Sequence, residues 1–223
     1  MSTTSSGSGQ QAQGEGQSLI RLPDGTLRTA SDLLVNVVER YLREQHAVVP
    51  LYDLTNVGPH DDVEAVDLLA LNALNAFIGR PPMTPMTAMW ASRATIPPLV
   101  TLVSKEGVEH LSEGDLPLEA AKLEKVIRAV EVVKGFGSTR TAKLIHRLRP
   151  NLMPIWDIEV GKWYNGYYQL PWKDWLLRVY QDVREPDTLQ GLKWIQGQLP
   201  DSLSLLRVWD ILLWKLKWRA TRP

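Results

Sequence analysis

Apolar residues recur along this chain with the three-to-four-residue spacing of helices, and runs that alternate apolar with polar are nearly absent. The first helical pattern covers about 31–46, with Ser31 as its cap and Asp32 in its first turn. A second covers about 62–78 and sets Val66, Leu69, Ala73 and Phe77 on one stripe. Residues 79–98 are rich in Pro and Met and read as a long loop or a broken helix, while Ile96 to Val103 fits either a short strand or a helix. Pro117 and Glu119 suit a helix start, and that helix runs to Val133 and feeds a Gly-x-Gly turn at Gly135 and Gly137. Another helix follows at about 139–149. Pro150 and Pro154 then force an irregular link to Asp157. Three further helices are expected at about 172–184, 187–198 and 202–218, the last apolar nearly all round and so buried. The class predicted is all-α, with one helical unit over 18–223.

Composition narrows the chemistry. The 223 residues are 44% apolar, enough for a sizeable core. The absence of cysteine excludes disulfides, thiol nucleophiles and thiolate metal sites. His46, His60, His110 and His146 are dispersed without metal-ligand spacing, so no metal is expected. No apolar run approaches the roughly 18–20 residues of a membrane span. The Ser/Gly/Gln-rich start lacks the apolar core of a signal peptide, and residues 1–17 read as a disordered tail. A cytoplasmic monomer without a membrane partner is the expectation. Net charge is zero but uneven: residues 1–133 hold 10 basic and 17 acidic side chains, residues 134–223 hold 15 and 8. Such asymmetry suits a polyanion bound on one side. It also suits two halves that attract each other, and both can hold.

The turn and the helix after it carry the candidate chemistry. Glycine allows a tight turn and close backbone approach at Gly135 and Gly137. Ser138 is a suitable N-cap, which leaves the first amides of the next helix facing an anion. That helix holds Arg140, Lys143, Arg147, Arg149 and His146 and no acid. Arg140, Lys143 and Arg147 fall on one face, for phosphate, with Thr141, Leu144, Ile145 and Leu148 opposite, for the core. Asp157 follows Gly137 by twenty residues.

Gly135-Phe136-Gly137-Ser138-Thr139-Arg140-Thr141 resembles the helix-hairpin-helix of the DNA glycosylase superfamily that includes the endonuclease III-like enzymes. That pattern has a small residue four positions after the second Gly, here Thr141, and apolar positions in the next turn, here Leu144 and Ile145. Its catalytic Asp stands twenty residues past the second Gly, where this chain reads Ile155-Trp156-Asp157-Ile158-Glu159-Val160. A looser resemblance, to an uncharacterised bacterial family, extends to Asp67-Leu68-Leu69-Ala70-Leu71-Asn72 and Leu205-Leu206-Arg207-Val208-Trp209-Asp210. The resemblance implies a two-lobed helical glycosylase-like fold, with the hairpin at about 127–148, the Asp segment at 150–160 and double-stranded DNA as partner. It implies Asp157 as catalytic carboxylate and residues 135–140, Lys143 and Arg147 as DNA contacts. Bifunctional members carry a Schiff-base lysine two residues after the second Gly. Thr139 stands there, so a monofunctional enzyme without lyase activity is implied. Some relatives hold an iron–sulfur cluster, which needs thiolates that this chain lacks. No cofactor is expected, with room left for a structural monovalent cation at the hairpin.

Such an enzyme flips a base out of the duplex and holds it between aromatic faces. Eight of nine tryptophans lie at or after Trp156. Core packing accounts for Trp175, Trp194, Trp209 and Trp214. Trp156 and the segment Trp163-Tyr164-Asn165-Gly166-Tyr167-Tyr168, which mixes aromatics with amide and hydroxyl groups, are candidates for the base pocket. Asn72, Asn75 and the Met83–Trp90 loop are candidates for the wedge that fills the gap. Arg207 and Asp210, three apart, read as a structural ion pair. Relatives act on oxidised, alkylated or mismatched bases, and one strips sugar-modified cytosines from phage DNA in antiviral defence. A large polar adduct suits the segment after Asp157, with repair of alkylated or oxidised bases as the alternative. Two rivals are a non-catalytic helix-hairpin-helix module, which gives Asp157 no role, and a protein-interaction domain, which binds no DNA.

Overall fold

The computed structural model describes residues 17–44, 52–53, 58–74, 84–164, 170–199 and 203–216. The described chain opens on a small antiparallel hairpin, the one departure from an otherwise helical architecture. Strands β1 (Leu19–Arg21) and β2 (Leu27–Thr29) pair in the register Leu19↔Thr29, Ile20↔Arg28 and Arg21↔Leu27. Helix α1 follows at once over residues 30–44, with a π-helical turn at Leu34–Val38 between Ala30–Leu33 and Glu39–Glu44. Its cap is Thr29 rather than Ser31. The strand delivers Thr29 in an extended conformation, so its hydroxyl accepts from the Asp32 amide.

Next come α2 (Ala65–Ala73), α3 (Thr84–Ser92), a 3-10 turn (Arg93–Thr95) and α4 (Pro97–Val100). The region expected as a long loop or broken helix is thus a broken helix from residue 84, and the strand-or-helix segment is helical over Pro97–Val100 and turns after it. After these, α5 (Leu116–Glu131), α6 (Ser138–Leu148), α7 (Ile158–Trp163), α8 (Trp172–Arg184), α9 (Pro186–Gln196) and α10 (Leu205–Leu216) complete the described fold. Pro117 in α5 and Pro186 in α9 sit in first turns, where a missing N–H costs nothing.

Helix α10 forms the centre. Every residue from Leu205 to Leu213 is buried, as its all-round apolarity predicts. It packs on α1, α7 and α9, while α5 lies on α8 and α6, and α2 lies on α6. Gly191 lets α9 approach the hairpin: a Cβ there would stand 2.6 Å from Ile20 Cγ1. Helix α2 is rotated from the expected stripe. Leu68 and Leu71 are buried whereas Leu69 is exposed, because Asp67 turns inward to meet Arg147 of α6. Phe77 lies outside the described residues, as does residues 1–16 of the expected tail. No described helix is long and apolar enough to cross a membrane.

The uneven charge is resolved inside the molecule. Acids of the first part pair with bases of the second at Asp67–Arg147, Asp61–Arg149, Asp53–Arg207, Glu113–Arg184 and Glu44–Lys215. Attraction between the halves therefore accounts for much of an imbalance that a polyanion partner would also explain.

Candidate active site

Helix α5 ends at a turn that only partly needs its glycines. Gly135 has φ +85, and a Cβ there would lie 2.7 Å from Pro85 Cγ. Gly137 is extended (φ −91, ψ 177), has open space where a side chain would go, and serves as N-cap of α6. Ser138 is therefore not the cap: it is the first helical residue, and its hydroxyl donates to Glu131 (2.9 Å). The cap residue, a glycine, offers α6 no side-chain hydrogen bond, and the helix starts at Ser138. Phe136 is buried, Thr139 and Arg140 are half-buried, and Arg140 donates to the Gly135 carbonyl.

The expected phosphate face of α6 is mostly interior. Residues 141–148 are all buried. Arg147 is fully enclosed, donating to Asp67 Oδ1 (2.8 Å) and to the Tyr52 carbonyl (2.7 Å). Arg149 donates to the carbonyls of His60 and Val100 (2.6 Å each) and pairs with Asp61. His146 bonds the Met153 carbonyl (2.6 Å), and burial, reinforced by Arg207, pushes it down to about 3. Lys143 donates to the Leu74 carbonyl (2.6 Å) and is likewise buried. The reason is packing: α2, α5 and the link after α6 enclose it, and charged heads turn to acids and carbonyls distant in sequence. Of the three cations expected on the phosphate face, Arg140 alone is not buried.

Asp157 ends the irregular link and caps α7. Its Oδ1 accepts from the amides of Glu159 and Val160 (2.9 Å each), while Oδ2 makes no hydrogen bond to a described residue. The half-buried carboxylate lines a cavity of about 220 Å³. Its polar lining is Tyr41, Lys143, Asp157, Arg207 and Asp210; Trp214 and aliphatic side chains supply the rest. This is below the roughly 300–1,000 Å³ of pockets for drug-sized ligands and suits a smaller group. Burial pushes the Lys143 amine down to about 8, against the opposing pull of Asp157.

The far wall was not legible as a site. Arg207 and Asp210 do form the expected ion pair (2.7 Å), yet both line the cavity. Arg207 also grips Asp53 (2.6 and 3.1 Å) and donates to the Tyr41 hydroxyl (2.6 Å). Asp210 accepts from the Ile155 amide (3.2 Å), and burial, aided by the Asp53 charge and opposed by Arg207, pushes it up to about 7. Tyr41 and Trp214 meet edge-on, with centroids 6.2 Å apart, and are the aromatic lining.

The aromatics expected there are elsewhere. Trp163 is buried and donates to the Leu213 carbonyl (2.9 Å), and Tyr164 is buried and accepts from Trp209 (3.0 Å). Trp156 packs edge-on against Trp172 (5.8 Å) and does not line the cavity. The Trp163 indole and the Tyr164 hydroxyl are thereby used within the core. Trp175 and Trp209 are core residues as expected, with Trp194 half-buried against them. Asn165, Tyr167 and Tyr168 lie outside the described residues, as do Asn75 and Met83. Asn72 sits in the last turn of α2 beside Ala73 and Leu74, which line the cavity where it does not. The rest of the expected wedge loop is α3, where Trp90 stacks under Arg93. No residue of 135–140 lines the cavity; α6 connects the turn to it through Lys143. Among the described residues no cluster of His, Asp and Glu could hold a metal.

The chain belongs to the DUF6308 family, a family of unknown function, which it matches over residues 34–217. That span begins inside α1, just after the strand hairpin, and takes in every residue of the cavity. No curated protein and no solved structure matches the chain.

Proposed function

We propose that the protein is a DNA glycosylase that cleaves the N-glycosidic bond of a flipped base, with Asp157 as its carboxylate. The reading rests on one observation: Asp157 lines a small cavity, with one oxygen held by two amides and the other without a hydrogen bond to a described residue. Breaking an N-glycosidic bond builds positive charge on the sugar, and a fixed carboxylate stabilises that charge and orients the attacking water. The amide pair at the start of α7 fixes the carboxylate in place and leaves its second oxygen toward the cavity. The spacing from Gly137 and the likeness of the turn to the helix-hairpin-helix add to the reading. DNA would be held by the N-terminal turn of α6 and by Arg140, not by Lys143 or Arg147. Few phosphate contacts mean a shallow salt dependence, about 0.9 in the log–log slope per phosphate.

Incubating the protein with duplexes that carry alkylated, oxidised and sugar-modified bases, then treating with alkali, reveals abasic sites as strand breaks. Wild type is expected to release one class of base. Asp157→Asn should lose that release and keep its thermal stability, since Asn caps helices as well as Asp. Excision that survives Asp157→Asn, or no excision from any duplex, would overturn the proposal.

A further inference from the structure

Lys143 has an unusual position. It is a buried ammonium with no carboxylate within ion-pair distance among the described residues, held by the single carbonyl of Leu74. Lysine is almost never buried unless it is paired or functional. An ammonium has three N–H donors. One goes to Leu74, which leaves two at the wall of the cavity that Asp157 also lines. The cavity thus presents a carboxylate oxygen and a proton donor with spare N–H groups to the same small occupant.

We propose that Lys143 is the acid that protonates the departing base. This rests on the role given to Asp157. As the bond between C1′ and the base nitrogen breaks, its electron pair stays with the base. The Lys143 ammonium then gives a proton to that nitrogen, or to a ring nitrogen or exocyclic carbonyl oxygen conjugated with it. Water adds its hydroxyl to C1′, and the proton it releases restores the ammonium, so the sum is base–sugar plus water giving base–H plus sugar–OH. The other candidates are less suited. Both Asp210 oxygens already accept, from Arg207 and from the Ile155 amide. The Tyr41 hydroxyl is pushed up to about 12 by burial, too weak an acid to compete. Lys143, pushed down to about 8, is charged near neutral pH yet gives up its proton readily. The charged groups acting on it are Asp157 from α7, Arg207 and Asp210 from α10, and Arg140 from its own helix.

The test is single-turnover excision by the full chain from two kinds of duplex. One carries a neutral modified base, whose departure needs a proton. The other carries a base alkylated on a ring nitrogen, already cationic and able to leave neutral. Lys143→Gln is expected to slow release of the neutral base by about 10²–10⁴-fold and to leave the cationic base nearly unchanged. Lys143→Arg, which keeps the charge but holds its proton too tightly, should show the same split. In wild type the neutral base should also be lost progressively more slowly as pH rises through about 8, and the variants should lack that limb. Equal loss on both substrates, or none on the neutral one, would overturn the role of Lys143 while leaving that of Asp157. Release of neither base by wild type would overturn both.

Discussion

The Asp67–Arg147 pair gives the sharpest test of where the cations of α6 point. Both side chains are fully enclosed, and Asp67 is saturated: Oδ1 takes Arg147 Nε (2.8 Å), while Oδ2 faces His60 Nε2 (3.0 Å) and takes the Glu64 amide (2.9 Å). In Asp67→Asn one of those oxygens becomes an NH₂ group facing a donor, and the guanidinium loses its counter-charge. Breaking a buried pair from one side costs about 3–5 kcal/mol. For a domain of this size each kcal/mol lowers the melting temperature by roughly 2–4 °C, so a fall of about 6–20 °C is expected. Circular dichroism melts of wild type, Asp67→Leu, Arg147→Met and the double Asp67→Leu, Arg147→Met variant form a cycle, with Asp67→Asn measured beside them. The double variant should lose less than the two single losses combined, since an apolar pair leaves no stranded charge. If Arg147→Met melted like wild type and instead bound DNA more weakly, with a salt slope reduced by about 1, Arg147 would be a phosphate contact after all.

Two further outcomes follow from glycine and lysine. Gly135→Ala should cost about 1–2 kcal/mol from left-handed backbone alone, with the Pro85 contact adding to it; Gly137→Ala should cost only about 1 kcal/mol or less, and chemical denaturation of the two variants reads the difference. Lys143→Met should be more stable than wild type near neutral pH. The fall of the amine from 10.5 to about 8 corresponds to roughly 3 kcal/mol at most, less the lost bond to Leu74. The unfolded chain binds the proton more tightly, so wild-type stability rises with pH from about 8 to 10.5 and the gap to Lys143→Met should close there. A gap that does not change with pH would mean that the amine is solvated.

Local signals were readable wherever local physics decides. Trp172–Arg184 has the predicted bounds, and Pro117 and Pro186 mark real first turns. The position of Asp157 after the turn was visible as spacing. What stayed hidden depends on distant partners. Periodicity treats an arginine as a surface residue, yet Arg147 is buried because Asp67 lies eighty positions earlier and arrives on another helix. The same holds for the stripe of α2, whose rotation follows from that bond. Tyr41, Asp210 and Trp214 carry no local mark of a site; they meet only because α1 and α10 pack together. In Trp163 and Tyr164 the polar atoms that suggested a pocket are the ones that satisfy the core.

Because Arg147, Arg149 and Arg207 are each matched by an acid from Asp67, Asp61 or Asp53, the chain has no seam between α5 and α6 along which it could be divided. A fragment beginning at α6 would carry Arg147 and Arg149 into a dry interior without their acids and would leave Arg207 with Asp210 alone, and it could not complete its own core. Recombination that exchanged only the later helices with those of a relative would have to bring the three aspartates along, so the front and rear of this molecule are inherited together.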